Sequence, residues 1–203
     1  MIEVAAAIIE QNGRILVGKR GGTGSCAGLW EFPGGKREPG EALPDTLRRE
    51  CREELGAAVS VGGVCAEITH QYPDREVRLS FYFAILEDGE PVSNVHTQLL
   101  WATPDDLTRL DFCPADTGLV ARLAAAYGIR PGRYRHFKGK EYQVLALARH
   151  SETLEPMTVY RPLSGEGAIW VRPALMFSET VTKDGETFPR FVRIGESPEN
   201  SPM

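Results

Sequence analysis

Apolar and polar positions along this chain change period several times, and each change marks an element. Ile2 to Ile9 is a buried-strand pattern, Asn12-Gly13 is a hairpin signal, and Arg14 to Arg20 is the returning strand. Residues 21–29 are rich in Gly, Ser and Thr and predict a loop. Trp30-Glu31-Phe32 predicts a short strand entering Pro33-Gly34-Gly35. The period then becomes helical. Leu43, Leu47, Cys51 and Leu55 form one stripe of a helix expected from about Pro44 to Leu55, with proline in its first turn and Gly56 at its C-terminal stop. Val59 to Thr69 and Glu76 to Leu86 return to strand period; in the second, Val77, Leu79, Phe81 and Phe83 alternate with Arg78, Ser80 and Tyr82. Leu99 to Ala102 predicts another strand and Pro104 to Leu107 a helical turn. A second helix is expected from about Pro114 to Tyr127, with Leu119, Val120 and Leu123 inward. Mixed strands with two helices predict an α/β layered fold.

Gly128-Ile129-Arg130-Pro131-Gly132 predicts a linker. Beyond it Tyr142 to Arg149, Thr158 to Arg161, Ala168 to Arg172 and Phe188 to Arg193 are short strand-like runs separated by Gly, Pro and Asp-Gly turns. The expected organisation is therefore a first domain over residues 1–128 and a small, mainly-β domain over residues 132–192. Glu196 to Met203 is expected to be a frayed tail.

Charge is uneven along the 203 residues. Residues 1–131 carry 13 Lys+Arg against 19 Asp+Glu, and residues 132–203 carry 10 against 9, for a net −5. The acidic first part argues against broad binding to a phosphate backbone. The first apolar run ends at Glu10, too short for a secretory signal, and no run approaches membrane-spanning length. Cys26, Cys51, Cys65 and Cys113 form no Cys-x-x-Cys pair, so reduced thiols and a cytoplasmic location are expected.

The chemistry concentrates in residues 35–57, GKREPGEALPDTLRRECREELGA. Gly35 is followed by Glu41, then by Arg49 and Glu50, then by Glu53, Glu54 and Gly56. At helical spacing Glu50, Glu53 and Glu54 share one face, and three crowded carboxylates repel unless a hard cation sits among them. Oxygen-only donors of this kind suit Mg2+, with Mn2+ as an alternative. A solvated acidic face with intrahelical ion pairs is the bland alternative, but it does not explain the spacing of Gly35 and Glu41.

This segment resembles the Nudix box, with Cys51 and Ala57 in its aliphatic places, and the resemblance spans residues 2–127. It implies a Nudix-type α/β/α sandwich with a mixed sheet, and hydrolysis of a nucleoside diphosphate linked to another group. By the resemblance, Glu50, Glu53, Glu54 and the Gly34 carbonyl bind divalent metal, Arg49 orients a glutamate, Glu41 supports the loop and helix, and Glu53 or Glu50 is the general base. Leu29-Trp30-Glu31-Phe32-Pro33-Gly34-Gly35-Lys36 looks like the MutT-like branch, which hydrolyses nucleoside triphosphates. That branch implies nucleotide contacts from Arg20, from Arg75 in Pro73-Asp74-Arg75, and from Asp116 in Phe112-Cys113-Pro114-Ala115-Asp116. Lys36 is expected at phosphate. Phe32 is expected either to stack on the base or to belong to the core.

Where that branch has a base-reading asparagine, this chain has Asp116. An ionised Asp116 only accepts hydrogen bonds and favours an exocyclic amine, as on cytosine; a protonated one also donates and can read an oxidised purine. The bland alternative is that Asp116 merely caps the following helix. Relatives of this branch often carry a further glutamate where this chain has Val95, beside His96, which is expected at the surface.

Residues 132–192 resemble a short bacterial domain family of unknown function. Arg133, Arg135, His136 and Lys138 alternate with aromatics there. That pattern suits nucleic acid or, more simply, the two faces of a strand. The expected activity is Mg2+-dependent hydrolysis of an oxidised or cytosine-type nucleoside triphosphate to monophosphate and pyrophosphate. The alternatives are a nucleotide sensor or another diphosphate-linked substrate. Oligomeric state is not legible.

Overall fold

The buried-strand run at the start of the chain becomes the centre of a mixed sheet. The computed structural model describes residues 1–22, 26–87, 89–165 and 167–196. In it β1 (Ile2–Gln11) runs parallel to β6 (Glu76–Leu86), in register from Ile2 opposite Val77 to Ile9 opposite Ala84. At its start β1 pairs antiparallel with β4 (Gly34–Lys36), and at its end with β2 (Arg14–Lys19). Strands β3 (Trp30–Glu31) and β7 (Gln98–Ala102) flank β2, and β5 (Val59–Gln71) pairs with β6.

Both faces of this sheet are covered, which is why Ala5 to Ile9 are all buried. On one face helix α1 (Leu43–Leu55) inserts Leu47, Cys51 and Leu55 among Ala5, Ala7, Ile9 and Ala84. On the other, Phe32 meets Phe81 edge-on at 5.9 Å and lies 5.6 Å from Phe112. Helix α1 stops at Gly56, whose φ of 60° is left-handed, and whose N–H bonds the Arg52 carbonyl at 3.1 Å. That stop brings the chain back into β5.

The short α2 (Pro104–Leu107) is closed by a capping box between Thr103 and Asp106. Helix α3 (Thr117–Tyr127) starts three residues later than the sequence predicts. Pro114 and Ala115 lie in a turn that the Asp116 N–H closes onto the Cys113 carbonyl at 2.9 Å. β4 was not visible in the pattern, because two glycines carry no hydrophobic signal.

The chain divides into two compact units. The first comprises Met1–Ala121 with Ser151–Leu154, and the second Arg122–His150 with Glu155–Met203, so the division falls within α3. The second unit carries an antiparallel sheet in the order β11 (Trp170–Pro173), β10 (Pro156–Pro162), β9 (Glu141–Arg149), β8 (Gly132–His136), β14 (Phe191–Gly195). Its core is aromatic: Phe177 stacks flat on Phe191 at 3.9 Å, and Tyr134 and Tyr160 meet Phe177 edge-on.

Three sequence expectations change here. Gly132 opens a strand instead of ending a linker. The single run expected over 188–193 is two strands, β13 (Glu186–Pro189), hairpinned with β12 (Thr180–Lys183), and β14. A short helix α4 (Ala174–Ser178) supplies Phe177. The tail expected over Glu196 to Met203 lies, beyond Glu196 itself, outside the described residues. No helix among the described residues is long and apolar enough to cross a membrane.

Candidate active site

The site grows from the contact between the β4 turn and α1. Gly34 has φ +146°, and a Cβ on it would lie 2.1 Å from the Ala5 carbonyl oxygen, so only glycine allows β4 to lie this close to β1. A Cβ on Gly35 would lie 2.2 Å from Cδ of Glu50. The Glu50 carboxylate therefore sits directly on the Gly35 backbone. One turn along α1, Glu54 accepts the Gly34 N–H at 3.0 Å.

Arg49 ties this arrangement together. Its Nε and Nη2 hold Glu41 bidentately at 2.8 and 3.2 Å, its Nη1 reaches Glu50 at 2.9 Å and Glu53 at 3.2 Å, and its Nη2 also donates to the Lys36 carbonyl at 3.0 Å. Glu41 further accepts from the Glu38 N–H and the Thr46 hydroxyl. Arg49, then these two donors, hold the Glu41 carboxyl down to about 2. Glu54 is the opposite case. Burial pushes its carboxyl up to about 7 against the opposing Gly34 N–H, so the fold leaves it short of positive charge.

The donors at this face fit a hard cation in kind: they are carboxyl oxygens, with the partly buried Glu54 among them. They are not a closed cage, since among the described residues no three His, Cys, Asp or Glu side chains are grouped to hold a metal. Glu53 is 59% exposed and lines a second groove with Asp45, Arg48, Arg49 and Arg52.

Against the Gly34–Gly35 turn opens a cleft of about 220 Å³. It gathers Arg20, Lys36, Arg75 and Asp116, which lie far apart in sequence, with Glu31, Tyr72, Cys26 and Cys113. Arg75 lies over the Tyr72 ring, 5.6 Å from its centroid. Asp116 is 4% exposed; burial first, then Glu31, push its carboxyl up to about 8, against Arg20 and a hydrogen bond from the Phe32 backbone. Phe32 does not line the cleft. It is 3% exposed and packed between Phe81 and Phe112, so the structure places it in the core and not against a base.

Two residues acquire roles that sequence alone did not assign. Glu31 bridges Arg20, at 2.6 Å, and His96, at 3.1 Å. Its position between Trp30 and Phe32, both inward, was the available signal that it faces the other way. His96 was expected at the surface, and this is corrected: its side chain is 2% exposed and its ring lies flat against Gly18, where a Cβ would come within 2.4 Å. Val95, its neighbour, is 57% exposed. In the second unit Arg133 and Arg135 both engage Glu141, at 2.9 Å each, while Tyr134 between them is buried, which is the two-faced strand pattern.

A family model described as the NUDIX domain matches residues 4–122, and one described as a protein of unknown function, DUF1653, matches residues 132–193. The CTP pyrophosphohydrolase of Escherichia coli is 38% identical over 131 residues, covering 64% of this chain and 97% of that protein. The 8-oxo-dGTP diphosphatase of Escherichia coli is 30% identical over 123 residues, covering 60% of this chain and 95% of that protein. The solution structure of the E. coli ORF135 protein superposes with a TM-score of 0.53 at 39% identity, covering 59% of this chain and 86% of that one. The match spans both the glutamate helix and the Gly34–Gly35 turn on which it is seated, and this chain belongs to the Nudix family.

Proposed function

We propose that the chain hydrolyses a (deoxy)nucleoside triphosphate of cytosine or oxidised-base type to the monophosphate and pyrophosphate, with Mg2+ as its cofactor. The observation that carries this is the cleft. Its lining combines the Gly34–Gly35 turn, against which Glu50 and Glu54 of α1 pack, with the cations Arg20, Lys36 and Arg75 and the buried Asp116. The relatives named above, which act on CTP and on 8-oxo-dGTP, support the same substrate class.

Glu50, Glu53, Glu54 and the Gly34 carbonyl are the groups that would hold Mg2+. When bound, the cation would offset phosphate charge and acidify water. Arg20, Lys36 and Arg75 neutralise and orient the triphosphate. Arg49 keeps Glu50 and Glu53 in place, and one of these two takes the proton of the attacking water. Glu41, held ionised, fixes the Arg49 fork in turn.

Asp116 reads the base. A carboxyl that titrates at about 8 is mostly protonated at neutral pH, so it offers one donor beside one acceptor. That pattern complements a base edge carrying an acceptor next to an N–H, and it disfavours the paired N7 and O6 acceptors of unmodified guanine.

The test is pyrophosphate release with Mg2+ across normal, methylated and oxidised nucleoside triphosphates, using the wild type, Asp116→Asn and Glu53→Gln. Turnover confined to one base class, with a changed preference in Asp116→Asn, supports the assignment. Absence of turnover on every triphosphate refutes it. Nucleotide binding retained by Glu53→Gln, with turnover lost, separates a hydrolase from a sensor.

A further inference from the structure

Two of the four cysteines meet in the cleft, and hydrolysis has no use for either. Cys26 lies in the loop between β2 and β3, and Cys113 in the segment before α3. Backbone bonds bring these segments together: the Trp30 N–H donates to the Asp111 carbonyl at 2.8 Å, and the Cys113 N–H donates to the Trp30 carbonyl at 2.9 Å. The Arg20 N–H donates to the Leu29 carbonyl at 2.9 Å, which anchors the same loop. The Cys26 sulfur lies 3.9 Å from the Tyr72 hydroxyl, and the Cys113 thiol sits near enough to Cys26 for the two to perturb each other. Both thiols line the cleft beside Asp116. Cys51, by contrast, is sealed in the core at 0% exposure.

We propose that Cys26 and Cys113 form an oxidisable dithiol that a peroxide closes into a disulfide across the base-reading wall of the cleft. Cys26 is half-buried and faces the cleft, so it meets the oxidant first. Its sulfur attacks one peroxide oxygen; the S–O bond forms, the O–O bond breaks and water leaves, giving a sulfenic acid. Cys113 is buried, and burial pushes its thiol pKa up, so it waits as the protonated partner. The Cys113 sulfur then attacks the Cys26 sulfur; the S–S bond forms, the S–O bond breaks, and a second water departs with the thiol proton. Two thiols lose two electrons in total, and one peroxide becomes two waters.

The disulfide would remove the Cys26–Tyr72 contact and tether the segment that ends in Asp116 to the neighbouring loop. Its effect on turnover rests on the proposed hydrolase activity; its formation does not. The experiment treats the full chain with hydrogen peroxide, blocks remaining thiols with an alkylating agent, and maps the digested peptides by mass spectrometry. Turnover is measured in parallel, before and after dithiothreitol. Expected are a Cys26–Cys113 linked peptide, an unlinked Cys51, and a loss of turnover of about tenfold or more, as for a misplaced binding group, that the reductant reverses. Cys26→Ser and Cys113→Ser should each abolish the linked peptide and the reversible loss, each judged against its own untreated control. Independently alkylated Cys26 and Cys113 after peroxide treatment, or a Cys26 driven to sulfinic acid without a link, would overturn the proposal. A link with unchanged turnover would overturn its coupling to catalysis. Absence of turnover in the untreated protein would count against the hydrolase reading and leave the peptide map to decide the dithiol.

Discussion

Replacing Asp116 by Asn tests the buried carboxyl directly, through stability and without any substrate. The unfolded chain holds this group near 3.8, and the folded chain at about 8, mainly through burial and secondly through Glu31. The folded state therefore keeps a proton that the unfolded state releases above about pH 4. In that window the folded protein binds more protons, so stability falls as pH rises, by about 1.4 kcal/mol per unit, until the folded group also ionises near 8. Asparagine keeps the shape and can still accept the Phe32 N–H, but it has no proton to lose. The stability difference, variant minus wild type, should thus grow by about 2–3 kcal/mol between about pH 5 and pH 7. Glu54 and the other titrating groups are common to both proteins and largely cancel. The assay is urea unfolding of both proteins at several pH values, followed by circular dichroism and by tryptophan fluorescence, to which the buried Trp30 contributes. A difference that stays constant across this range to within about 0.5 kcal/mol would refute the raised proton affinity, and with it the protonated base reader.

Gly35→Ala should displace the Glu50 carboxylate, whose Cδ lies 2.2 Å from the new Cβ, and lower kcat by about 100-fold with little change in thermal midpoint; unaltered kcat would detach Glu50 from catalysis. Arg49→Lys should lose the two-pronged hold on Glu41 and the Lys36 carbonyl contact, lowering kcat/KM by about 10–100-fold, and steady-state kinetics matching wild type would show that charge alone suffices. Gly18→Ala should destabilise by about 1–3 kcal/mol, because its Cβ meets the buried His96 ring at 2.4 Å; the Gly18→Ala, His96→Ala double variant should lose less than the two single losses summed, and strict additivity in denaturant melts would break the contact reading.

Much of the first unit was legible in the sequence because its signals are local. The apolar run of β1, the Asn12-Gly13 turn, the stripe on α1 and its stop at Gly56 each follow from one residue's preference or from one period. The spacing of Gly35, Glu41, Arg49, Glu50, Glu53 and Glu54 is likewise a property of a helix entered from a turn, so the placing of these residues at one helix and its entry could be read before any fold was known. Tertiary structure decided what depends on elements meeting across the sheet. It buried Phe32 between Phe81 and Phe112, and turned His96 inward onto Gly18, where a neighbouring strand left room for a ring. It set Glu31 between Arg20 and His96, and carried Cys26 to Cys113 through backbone bonds that no pattern announces. It also decided how strongly Asp116 holds its proton, since composition names a carboxyl but only burial and neighbouring charge set its affinity.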